Sequence, residues 1–149
     1  MSNITYNKGL AEWHDPATGP GIGDWEWILE RSTSTYTPNE DDESLLDKAG
    51  FVEVSVASYV RTNLAGTTFA AVHASNLVKI DCNDVSFGAL EAGQTVKSAI
   101  LARNDAGNYV PVLRIDTDSG ALLPRALSGG AFTLQINASG LYTIGTSGQ

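Results

Sequence analysis

The sequence predicts an all-β fold: an antiparallel β-sandwich or jelly-roll-like barrel with one short helix and an extended N-terminal arm. Three observations carry this expectation. Apolar residues recur with a period of two in several short runs, as strands with one buried face require. Fifteen glycines against only 17% charged residues point to many tight turns between short elements. With 149 residues, 42% of them hydrophobic, the chain can bury a sizeable core as one domain.

Taken in order, residues 1–38 read as the arm and residues 39–149 as the sandwich domain. The stretch HDPATGPGIGDWEW is rich in Gly and Pro and reads as an irregular, partly extended loop. It leads into a short strand or helical turn at Trp25–Glu30. All three tryptophans, Trp13, Trp25 and Trp27, fall in this segment and are the candidate partner contacts. Two readings stand side by side. The rings pack on the chain's own sheet, or the arm carries them onto a neighbouring subunit.

Pro38–Gly50 is the helix expected from the sequence. Asn39 can cap it, the acids at 40–43 suit its positive end, and Lys48 and Gly50 suit its last turn and its stop. From Phe51 the period becomes two. FVEVSVASYV places Val52, Val54 and Val56 on one face, and LVKID (77–81) and VSF (85–87) follow as shorter strands. TVKSAILAR (95–103) sets Val96, Ser98, Ile100 and Ala102 against Lys97, Ala99, Leu101 and Arg103. The cluster NDAGN then turns the chain into YVPVLRID, a hairpin. Pro111 within the returning strand has no N–H to donate, which calls for an edge or a bulge. AFTLQIN (131–137) and LYTIG (141–145) close the chain, for six to eight strands in all.

The formal net charge of −8 argues against nucleic acid, whose phosphates are gripped by Lys and Arg. Neither a membrane partner nor a membrane span is expected, because no apolar stretch approaches about 20 residues. The opening MSNITYNKGL lacks the order of a signal peptide, so synthesis in a cytoplasm is expected. Cys82 is the only cysteine, which excludes an intrachain disulfide. His14 and His73 are the only histidines, and no Gly-x-Ser-x-Gly elbow accompanies them. The acidic run Glu40–Glu43 and the DTDSG stretch beginning at Asp116 lack the ligand spacing of a calcium loop. Asp81 and Asp84 form an acid pair of the kind glycoside hydrolysis needs, at a place where turns also use Asp. No enzyme, cofactor or metal is expected.

VKIDCNDVSFGALEAGQTVKSAILARN, VPVLRIDTDSG and GGAFTLQINASGLYTI together resemble a pattern in small structural proteins of tailed bacteriophages. There an Asp-x-x-Asp-Val strand with an aromatic precedes a strand of the AAVIY kind and a strand ending in Asp. A Gly-Gly pair, an aromatic and a closing strand pair finish it. The corresponding residues are Asp81, Asp84, Val85, Phe87, Ile100, Asp116, Gly129, Gly130, Phe132, Ile136, Gly140 and Leu141. Phe87 and Ile136 stand where Trp is common, and residues 1–30 lie outside the likeness. The resemblance implies a virion component: a capsid decoration (cement) protein that bridges coat subunits. Its partners would be the major capsid protein or other virion proteins, and it would be a homo-oligomer, with a trimer favoured. A tail, baseplate or fibre-associated protein is the near alternative. A carbohydrate-binding sandwich using the Trp faces is the alternative of another class.

Overall fold

The computed structural model describes residues 4–19, 24–72, 77–116 and 123–145. In chain order the elements are β1 (Ile4–Thr5), α1 (Asn7–His14), β2 (Trp25–Arg31), β3 (Thr62–Asn63) and β4 (Thr68–Val72). There follow β5 (Leu77–Asp81), β6 (Val85–Ala89), β7 (Thr95–Asp105) and β8 (Asn108–Ile115). The last are β9 (Arg125–Ala126), β10 (Ala131–Leu134) and β11 (Tyr142–Gly145). The fold is all-β and antiparallel, with one short helix.

The β7–β8 hairpin is the spine. Its turn falls at Ala106–Gly107, both at positive φ, with the Gly107 N–H held by Asn104 Oδ1 at 2.9 Å. The main sheet runs β1-β8-β7-β2-β3, and β9 pairs with the start of β7. Two smaller sheets, β10-β6 and β11-β5-β4, complete the architecture. Pro111 sits at a register shift between β7 and β8, where Ala102 faces Pro111 and Leu101 faces Leu113. The bulge absorbs the missing donor, as the proline requires.

Both faces of the main sheet are covered. Along β2, Trp25, Trp27 and Leu29 face a core shared with Trp13 of α1 and with Ile80, Val85, Phe87, Phe132 and Leu134 of the small sheets. Ile28 points the other way, into a second cluster with Tyr36, Leu45, Ile100, Ala102 and Tyr109. Period two on a strand produces this division directly.

Three expectations are corrected here. Residues 1–38 do not stand off as an extended arm, and a boundary at residue 38 would cut the main sheet. β2 pairs with β7 along its length, from Trp25↔Arg103 to Arg31↔Val96. The cause is the Trp-x-Trp-x-Leu alternation, which is a core strand's pattern. Second, the helix is α1 and not Pro38–Gly50. Asn39 and Asp42 use their side chains to bond local backbone, Asn39 Oδ1 accepting from Asp41 N at 3.0 Å and Asp42 Oδ2 from Asn39 N at 2.9 Å. Such bonds compete with a helix. The Leu45 N–H then goes to Tyr109 O at 2.8 Å, so the segment is a chain of turns sealing the second face. Third, FVEVSVASYV is mostly irregular, touching β2 through the bridge Glu30↔Glu53, with Arg31 N to Val52 O at 2.8 Å and Val54 N to Leu29 O at 2.9 Å, and through the Tyr59 hydroxyl, which accepts from Leu29 N at 3.0 Å.

Helix α1 lies close against β8 because Gly9 permits it. A Cβ there would stand 2.0 Å from Pro111 O, so a glycine whose helix propensity is about 1 kcal/mol poorer than alanine's is retained for contact. Trp13, one turn on, meets Trp25 edge-on with ring centroids 4.9 Å apart.

Candidate functional site

The three tryptophans singled out from the sequence are core residues. Trp13, Trp25 and Trp27 are 2%, 3% and 0% exposed. Trp25 Nε1 donates to Thr18 O at 2.9 Å, fixing the loop after α1. Arg103 Nε donates to Glu12 at 2.7 Å and pins the helix to β7. Of the two readings, packing on the chain's own sheet is the observed one, and no indole face is left for a partner or a sugar.

Where the second face of the main sheet meets β1 and the loop after β2, polar side chains converge. Glu30, fully buried, accepts from Arg114 Nε at 3.1 Å and Nη2 at 3.0 Å, and from Ser34 Oγ at 2.6 Å. Ser98 also donates to it. Arg114 Nη1 reaches Asp116 at 3.2 Å, and Lys97 stands 3.6 Å from Glu30. Two cations therefore balance two carboxylates in a nearly dry site. The register of β2, β7 and β8 creates it, setting Glu30 opposite Ser98 and Arg114 opposite Ile100.

Above this network lies an open cleft of about 430 Å³, lined by Thr35, Tyr36, Thr37, Lys97, Arg114 and Asp116 among others. Its floor extends into a hydroxyl relay. Tyr36 donates to Asp42 at 2.6 Å, so the 3.3 Å contact between the two phenols has Tyr6 as donor. Burial pushes Tyr6 up to about 12 and raises Tyr36 as well, with the Asp42 carboxylate adding to the second shift. Neither phenol is an acid or base near neutral pH. Arg114 has its donors on carboxylates. The cleft can offer hydrogen bonds to a polar group, but its described side chains hold no activated nucleophile.

Burial alone would raise the Asp42 carboxyl. The Lys48 ammonium at 2.6 Å, the Tyr36 hydroxyl and the Asn39 N–H outweigh it and hold the pKa below its ordinary 3.8. A depressed carboxyl stabilises the fold above its unfolded pKa and loses that contribution as pH falls through the folded value. Asp42→Asn is therefore expected to lower stability at pH 7. The gap from the parent chain should close progressively below about pH 4, as urea midpoints across pH would show.

Several of the acids considered from the sequence are engaged in local contacts. Asp41 accepts from Asn7 at 2.8 Å and Glu43 pairs with Lys8 at 3.4 Å, so the acidic run clasps the start of α1. Asp81 pairs with Lys79 at 2.9 Å, and Asp84 accepts from Ile136 N at 2.8 Å. Among the described residues no three His, Cys, Asp or Glu side chains gather as metal ligands. His14 is exposed at the end of α1, and His73, Asp118 and Gly120 lie outside the described residues. Burial and the carboxylates of Asp81 and Asp84 push the Cys82 thiol up to about 12, which makes it a poor nucleophile.

Most of the residues that carry the sequence resemblance meet around β5, β6, β10 and β11, whereas Ile100 lies in the second cluster and Asp116 in the Arg114 network. Phe87 and Phe132 pack edge to face at 5.9 Å across β6 and β10. Leu90 exchanges backbone bonds with Gly129 and Gly130 at 2.9 and 3.1 Å. Gly140, at φ +91°, passes so near β5 that a Cβ would lie 2.5 Å from Ile80 O, and Leu141 N bonds that same oxygen at 2.7 Å. Asp84 ties the start of β6 to the end of β10. These are framework contacts.

The chain matches no family model, no curated protein and no solved structure. What it presents outward is then the remaining observation. Among the described residues Leu46, Val60, Phe69 and Val72 are the exposed large apolar side chains, and two of them belong to β4, whose five residues are all exposed. Reading the sequence missed this strand. Its β-branched and aromatic composition, TTFAAV, was the available signal. No helix among the described residues is long and apolar enough to cross a membrane.

Proposed function

We propose that this chain is a structural component of a bacteriophage virion, a capsid decoration (cement) protein that bridges coat subunits and stabilises the head. The observation that carries the reading is the coincidence of motif and framework. Asp84, Phe87, Gly129, Phe132, Gly140 and Leu141, half of the twelve residues that carry the resemblance, help stitch β5, β6, β10 and β11 together. A likeness resting on scattered surface positions would carry much less. A sandwich whose buried charges, Glu30, Asp42, Arg114 and Asp116, are paired within the chain suits a protein that works by burying surface across a boundary. Its acidity suits a basic patch on a coat protein and disfavours nucleic acid. The resemblance further implies a homo-oligomer, a trimer being the form favoured.

The sugar-binding reading is weakened by the burial of all three indole rings, which removes the aromatic platforms it needs. A tail or baseplate location remains the nearer rival, and copy number separates the two. Quantitative mass spectrometry of purified particles should find hundreds of copies per virion, with heads lacking the protein failing at lower temperature. A handful of copies would move it to the tail, and none at all would sink the virion role.

A further inference from the structure

The geometry points to β4 as a self-association edge, at which two copies of this chain pair antiparallel about a twofold axis. β4 ends its three-stranded sheet and is hydrogen-bonded through β5 alone, from Thr68↔Asp81 to Val72↔Leu77. No other described strand pairs with its far side, whose N–H and C=O groups face away from the sheet. Among the other described edges, β1, β3 and β9 are two residues each, the β6–β10 pair is interrupted by a register shift, and β11, at the far side of the same sheet, is shorter than β4 at four residues. β4 has five residues, no proline, no charge and no shift in its register with β5. An edge kept this open is a template for strand addition.

The occupant is argued from the strand itself. On a chain of net charge −8, a patch that can meet its own copy must be free of acids, and TFAAV carries none. The nearest charges, Lys79 and Asp81 on β5, neutralise one another at 2.9 Å. Centred on Ala70, the antiparallel pair sets Phe69 opposite Ala71 of the second copy, large against small, and Thr68 opposite Val72. Phe69 aligns with the buried Ile80 in the β4–β5 register, so it prolongs the core face past the sheet's edge and is left 58% exposed. In the pair the two Phe69 rings become diagonal neighbours at about 7–8 Å, within reach of each other. The joined sheet runs β11-β5-β4 and then the same strands in reverse. A five-residue edge is a small contact, so the association is weak and concentration-dependent.

The inference stands on this surface and not on the virion role, and it is tested on the isolated chain. Sedimentation velocity should show a monomer–dimer equilibrium in the micromolar range. Phe69→Lys, at an exposed site, should weaken it about tenfold or more while leaving the circular dichroism and Tm unchanged. In a Cys82→Ser background, Ala70→Cys should form a disulfide dimer, because its mate lies about 5 Å away across the axis. Thr68→Cys should not, its mate being about 13 Å along the strand. A chain that stays monomeric at high micromolar concentration overturns the proposal. So does an oligomer, trimeric or otherwise, that Phe69→Lys leaves intact, or cross-linking at position 68 in place of 70. Absence from virions together with this dimer would remove only the head role.

Discussion

Arg114→Met is expected to destabilise the chain by about 3–5 kcal/mol, the range for breaking a buried ion pair from one side. The guanidinium is 3% exposed at its side chain, and it is the main counter-charge for Glu30, which is 0% exposed, and for Asp116, at 1%. Removing it leaves Glu30 with hydroxyl donors from Ser34 and Ser98 and a Lys97 ammonium at 3.6 Å, and takes from the buried Asp116 the guanidinium at 3.2 Å. Hydroxyls cannot replace a bidentate cation. For a domain of this size each kcal/mol shifts Tm by about 2–4 °C, so calorimetry should record a fall of about 6–20 °C. Replacing the whole set, Glu30→Met with Arg114→Leu and Asp116→Asn, should recover most of the loss, because the cost lies in stranding charge and not in lacking it. A single variant that loses less than about 1 kcal/mol would mean that water already screens this site and that it is not the dry junction described.

That junction could not be read from the chain, although its parts could. The alternation in TVKSAILAR correctly puts Ser98 on the face of Ile100 and Ala102. What sequence does not contain is the register that carries Glu30 to a residue 84 positions away. Pairing across three strands is a tertiary fact. By contrast, the β7–β8 hairpin was legible, because NDAGN is a turn by its own chemistry and Pro111 announces the irregularity later found beside it.

Pro38–Gly50 has helix-end residues without a helix between them. Asn39, the acids and Lys48 are good helix-end residues, but the same side chains make turns, and no apolar stripe accompanies them to choose between the two. Asn7–His14 carries a glycine that lowers its propensity, and only the 2.0 Å approach to Pro111 O explains why the helix keeps it. β4 was overlooked for the opposite reason. With every residue exposed it lacks the apolar–polar alternation by which a half-buried strand announces itself, and that same lack makes its edge available.

Trp27→Ala is expected to be the most damaging change among the tryptophans, at about 3–5 kcal/mol. Trp27 is 0% exposed in an interior strand of the main sheet, opposite Leu101 on one side and Thr62 on the other. The loss should appear in urea unfolding of the monomer and be independent of protein concentration. An anchor resting on a neighbouring subunit behaves differently, since truncating it spares the monomer and weakens only assembly. Trp27→Phe makes the comparison decisive. The indole Nε1 is buried without a hydrogen-bond partner, so phenylalanine keeps most of the apolar contact and discards a donor that is a desolvation cost. It should cost less than about 1.5 kcal/mol, the range for a tolerated hydrophobic swap. A large loss for alanine beside a small one for phenylalanine identifies the ring's volume as what the core requires. If instead the two variants unfold alike and equally early, the indole nitrogen has a bonding role that the observed packing does not contain.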